Sequence, residues 1–157
     1  MSLERFLSAQ AADQGGHATA LGELKAGHKT SHWIWYVFPQ LAALGRSPTA
    51  KFYGLNDFAE AQDYLREPTL RKNLLTLLKV VREQLESGVS LIDLMGGETD
   101  AQKLVSCATL FERGATALNQ RDPQEDLSMI AQSCAEIIGA AEQQGYTRCK
   151  VTLEASD

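Results

Sequence analysis

The chain has no apolar run longer than six residues, Trp33 to Phe38, far short of the roughly 20 that a membrane-spanning helix needs. It has only three cysteines, Cys107, Cys134 and Cys149, widely spaced and without a CxxC pair. Neither a disulfide framework nor a zinc ribbon is signalled, and a reduced, cytoplasmic setting is expected. Glu4 and Arg5 stand where a secretory leader would carry its apolar stretch. Net positive charge is also missing: the chain is −5 with a pI near 5.2, which argues against bulk nucleic-acid binding because the phosphate backbone would be repelled. No repeat or low-complexity tract is visible. A length of 157 residues is enough for one domain, 1–157, with a full core and a tail from residue 146.

What is present reads as a string of helices. Leu3, Phe6, Leu7 and Gln10 have helical spacing behind Ser2 as cap. Leu21 and Leu24 lie on a second helix stopped by Gly27. Asp57 with Glu60 three residues on opens a third that ends before Pro68. From Thr69 to Ser87, Leu70, Leu74, Leu77, Leu78, Val81 and Leu85 form one stripe, with Gly88 as terminator. Ser90 opens a short turn ending at Gly96-Gly97, and Thr99 with Gln102 forms a capping box leading into Lys103–Phe111. Asp122 and Pro123 open the last helix, whose stripe is Leu127, Ile130, Cys134, Ile137, Ile138 and Ala141. Cys149, Val151 and Leu153 alternate, so a short strand or a frayed tail follows. The expected fold is all-α, a single domain of six or seven helices.

One segment departs from the average. Leu24 to Asn56, 33 residues, contains no Asp or Glu, where even scattering would put about four. It holds four of the fifteen basic residues (Lys25, Lys29, Arg46, Lys51), so it is +4 while the rest of the chain is −9. Six of the eleven aromatics lie here: Trp33, Trp35, Tyr36, Phe38, Phe52 and Tyr53. Cations interleaved with rings suit a small anionic, nucleotide-like ligand. A helix capped by Ser31 and ended at Pro39 would turn Ile34, Val37 and Phe38 inward, and His32, Trp35 and Tyr36 outward. On this reading Lys29, Arg46 and Lys51 hold the anion, and Trp35 and Tyr36 stack. Ser31, Gln40 and Ser47 supply polar contacts, and His32 is the proton donor or acceptor of any hydrolase or transferase chemistry. The alternative is an interaction module, in which the same aromatic surface docks a protein or a second copy of the chain. A third reading makes the rings plain core.

Other constellations carry less. His28 and His32 are four apart but lack a third ligand, so no metal is expected. Cys107 on an apolar helix reads as a buried structural thiol. Gly96-Gly97 lacks the Lys-Ser/Thr ending of a phosphate loop. No cofactor motif is present.

The run KTSHWIWYVFPQLAALGRS (29–47), with KFYGL (51–55), EAQDYL (60–65), KLVSCATLF (103–111) and the N-terminal LERFLSAQ, resembles a bacterial family, domain-of-unknown-function family 1810. The resemblance covers about residues 3–111. Cys107 stands where the family more often has a second serine, and the chain from Glu112 onward departs from the usual ending. The resemblance implies a mainly helical fold and no particular activity. Some members carry a calpastatin-like label, which implies a disordered inhibitor; capped amphipathic helices and a Trp-rich run do not suit one.

Overall fold

The computed structural model describes residues 3–156. In chain order the helices are α1 (Glu4–Gln10), α2 (His17–Lys25), α3 (Ile34–Val37), then a 3-10 turn (Ala42–Leu44). They continue with α4 (Pro48–Tyr53), α5 (Phe58–Arg66), α6 (Pro68–Glu86), α7 (Leu91–Met95), α8 (Glu98–Arg121), α9 (Glu125–Gln143) and α10 (Lys150–Ala155). The all-helical expectation holds, but there are ten α-helices among the described residues rather than six or seven. The extra ones, α4, α7 and α10, are short pieces of five or six residues that periodicity does not resolve.

Three long helices organise the core. α8, 24 residues and so about 36 Å long, packs against α9, α5 and α7, while α6 packs against α9 and α2. The stripes on α6 and α9 are buried along this junction except for Leu85, which is half-buried. Phe6, Trp33, Phe38, Tyr64 and Phe111 fill it from the side. Several predicted caps are present: Asp57 Oδ1 accepts from the Glu60 amide at 2.8 Å, and Ser90 Oγ from the Asp93 amide at 3.2 Å. No helix among the described residues is long and apolar enough to cross a membrane.

Four expectations need correction, and one lies outside the described residues, the Ser2 cap. α8 starts at Glu98 behind Gly97 and runs unbroken past Phe111 to Arg121, because Ala115 and Leu118 continue its buried face. Asp122 closes α8 instead of opening α9, which begins at Glu125. The helix expected from Ser31 begins at Ile34, since the Ser31 hydroxyl is held elsewhere. Finally, residues 150–155 form a helix rather than a strand or frayed tail. With no strand alongside among the described residues, helical bonds such as Leu153 N–H to Cys149 O at 3.0 Å satisfy the backbone locally.

The segment 41–55 forms a loop clamped at its base. Ala42 N donates to Leu55 O at 2.7 Å and Leu55 N to Gln40 O at 2.9 Å, an isolated parallel bridge. Gly54 permits this closure: a Cβ there would lie 2.4 Å from Ala42 Cα. Buried Arg5 fastens the same base, donating to Phe52 O, Gly54 O and the Glu60 carboxylate at 2.9 to 3.0 Å. The loop tip is thereby held against the face of α8.

Candidate functional site

The chain between α2 and α3 is organised by one carboxylate. Glu23 accepts from the Thr30 amide (2.8 Å), the Ser31 amide (2.9 Å), the Ser31 hydroxyl (2.5 Å) and Trp33 Nε1 (3.0 Å). Burial pushes its pKa up, but these four donors outweigh it and bring the carboxyl down to about 2. Glu23 sits one residue before the acid-free window begins. It fixes Trp33, which is fully buried, and engages the Ser31 hydroxyl as a donor.

Lys29 is likewise internal. Its Nζ donates to Ser31 O at 2.6 Å, pairs with Asp100 Oδ2 at 2.8 Å and lies 4.9 Å from the Trp33 ring centroid. Gly96 makes room for this arrangement with φ +76°, since a Cβ there would lie 2.6 Å from Lys29 O. Lys29 is thus a buried structural cation, saturated by the protein.

Three of the predicted residues do come together. Gln40, Arg46 and Ser47 line a cavity of 580 Å³ between the 41–55 loop and α8. The opposite wall is Thr99, Gln102, Lys103 and Ser106 of α8. Ser47 Oγ also caps α4 by accepting from the Ala50 amide at 3.1 Å. Arg46 is exposed and has no ion-pair partner among the described residues. Lys103 Nζ lies 5.6 Å from the half-buried Trp35 ring and 4.0 Å from Asp100, whose other oxygen holds Lys29. No carboxylate belongs to the lining. A larger hollow of 610 Å³ at Phe58, Glu112 and Arg113 includes an acid, Glu112, already paired with Arg148.

The other predicted residues stand apart from this cavity. His32 is exposed and outside the lining, so it faces no bound anion there. Tyr36 points the other way, donating to Gly15 O at 2.5 Å and packing on Tyr53 at 5.0 Å; burial and Tyr53 raise its pKa. Lys51 is exposed on α4. His28 turns to α7, with Nδ1 2.7 Å from Asp93 O, and residues 26–33 are not helical, so the His28–His32 spacing has no helical face. Among the described residues no three His, Cys, Asp or Glu side chains group as a metal site. Of the six rings in the acid-free window, Trp33 and Phe38 are buried, Trp35, Tyr36 and Tyr53 are half-buried, and Phe52, at 48%, is exposed.

A second cavity, 350 Å³, adjoins the first and shares Gln102 and Ser106 with it. Its remaining wall includes Glu98, Tyr146, Arg148, Cys149 and Lys150. Tyr146 O–H donates to Glu98 Oε2 at 2.7 Å; burial and this carboxylate raise the phenol to about 12. Burial pushes the Cys149 thiol up, yet the neighbouring Thr152 and Ser106 hydroxyls and the Thr152 and Val151 amides favour the thiolate and leave its pKa below the ordinary value. Cys107 and Cys134, in contrast, are fully buried, and burial raises both thiols. The sequence offered no signal for Lys103, Thr99 or Gln102 as site residues, because their position follows from how α8 meets a loop 50 residues away.

The family model described as protein of unknown function (DUF1810) matches residues 1–143. The chain belongs to the DUF1810 family. The match extends past Phe111 through all of α8 and α9, so only the last 14 residues, with α10, fall outside it. The conserved hypothetical protein Rv1873 from Mycobacterium tuberculosis, known from a crystal structure, is a similar DUF1810-sized chain. It is 34% identical, with a TM-score of 0.77 over 96% of this chain and 94% of that one. No curated protein matches this DUF1810 chain.

Proposed function

We propose that this protein binds a small phosphate-bearing anion in the 580 Å³ cavity between the 41–55 loop and α8. The observation that carries this reading is the charge of the lining. Arg46 contributes a cation without an ion-pair partner among the described residues and Lys103 a second, whose partner Asp100 is 4.0 Å away, shared with Lys29 and outside the lining; no acid lines the cavity, in a chain whose net charge is −5. An unpaired guanidinium offers a planar fork to a phosphate, and Lys103 adds a point charge beside the Trp35 face. Ser47, Thr99 and Ser106 add hydroxyls and Gln40 and Gln102 add amides for the remaining oxygens. None of these side chains is a proton acceptor near neutral pH, so the reading is one of binding, with the His32 chemistry set aside.

The test is calorimetric titration with inorganic phosphate and pyrophosphate, at ionic strength matched with chloride. Binding should weaken on the order of 10- to 100-fold in Arg46→Gln, the loss of one charge-assisted contact, and comparably in Lys103→Gln. Circular dichroism should show both variants folded. Absence of binding at millimolar ligand, or equal binding by Arg46→Gln, would sink the proposal.

A further inference from the structure

The two adjoining cavities differ in charge. The first, at Arg46 and Lys103, is cationic. In the second both signs are present: the Arg148 guanidinium is paired with Glu112, the Glu98 carboxylate accepts from Tyr146, and Lys150 lies in the same wall. The Glu98 carboxylate opposes a second phosphate there, whereas hydroxyl groups can both donate to Glu98 and accept from Lys150. The only side chains common to both cavities are Gln102 and Ser106, one turn apart on the same face of α8. Both are uncharged and polar, so the lining that the two chambers share carries no charge. A bare phosphate would leave most of the combined space to water.

We infer that the natural ligand is a phosphate monoester with a polyhydroxylated arm, a sugar phosphate or nucleotide. Its phosphate sits between Arg46 and Lys103, and its arm crosses Gln102 and Ser106 into the chamber walled by Glu98, Tyr146 and Lys150. This rests on the anion-binding reading above. Cys149 is a built-in reporter of the arm. It lines the second chamber and is the one cysteine of three that is not buried, which makes it the accessible thiol.

The experiment uses the full chain and four probes: inorganic phosphate, ribose, ribose 5-phosphate and adenosine monophosphate. Ribose 5-phosphate should bind at least about tenfold more tightly than phosphate, the effect of one or two added hydrogen bonds, and ribose alone should not bind measurably. Ser106→Leu should erase that gain and leave phosphate affinity unchanged. Glu98→Gln, an exposed position that spares the helix, should reduce the gain if Ser106→Leu fails to fold. Alkylation of Cys149 by iodoacetamide should slow with saturating ribose 5-phosphate and not with phosphate. A further gain for adenosine monophosphate assigns the arm to a nucleoside; no gain over ribose 5-phosphate assigns it to a sugar. If phosphate binds in an Arg46-dependent way but ribose 5-phosphate binds no tighter, or leaves Cys149 alkylation unchanged, the two-chamber inference is overturned and the anion site stands. If no phosphate compound binds, both fall.

Discussion

Replacing Glu23 by alanine will lower the free energy of unfolding by about 2–4 kcal/mol in urea titration, although the residue touches no ligand. The substitution removes the acceptor for two backbone amides, one hydroxyl and the indole N–H of Trp33. Thr30 is exposed and water can serve its amide. Trp33 is fully buried, and its orphaned donor is the expensive one. Glu23→Gln keeps an acceptor oxygen and should cost less. The same carboxylate makes stability pH-dependent. Its folded pKa of about 2 lies below the ordinary 4.5, so its contribution is complete above pH 5 and is lost as pH falls from about 4.5 through 2. The alanine variant should show a flatter stability profile across that interval. An unchanged profile, or a loss under 1 kcal/mol, would mean that water replaces these bonds without penalty.

The second large effect concerns the Lys29–Asp100 pair and is asymmetric. Asp100→Ala strands an ammonium whose side chain is 6% exposed, leaving only Ser31 O to hold it; about 3 kcal/mol should be lost. Lys29→Met removes the buried charge itself, keeps the stem over Trp33, and leaves an aspartate that is 23% exposed and near Lys103. That change should cost less than about 1.5 kcal/mol, and the double variant should cost little more than Lys29→Met alone. Equal losses in the two single variants would show that the pair is a solvated surface bridge.

The sequence made legible whatever was decided within a few residues. Asp57, Ser90 and the Gly88 stop marked helix ends because capping is a local hydrogen-bond matter. The stripes on α6 and α9 marked the core because burial repeats with the helical period. Ser31 misled for the opposite reason: the group that claims its hydroxyl lies eight residues upstream. The acid-free window also dissolved in part on folding. Its missing carboxylates are supplied from outside it, Glu23 to the 30–33 segment and Asp100 to Lys29. At Arg46, on the loop tip, the excess of positive charge survives beside a cavity, whereas Lys51 is exposed outside it. Lys103 completes that site from a helix whose approach no local pattern encodes.

The bridge between Leu41 and Leu55, backed by Gly54 and Arg5, separates the architecture from the wall that carries Arg46. With its two ends riveted together, the intervening stretch can lengthen, shorten or exchange residues without shifting α3 or α5. The wall can therefore be altered while the scaffold is kept. Gly54 and Arg5, at the rivet, should tolerate replacement less well than Arg46 at the tip.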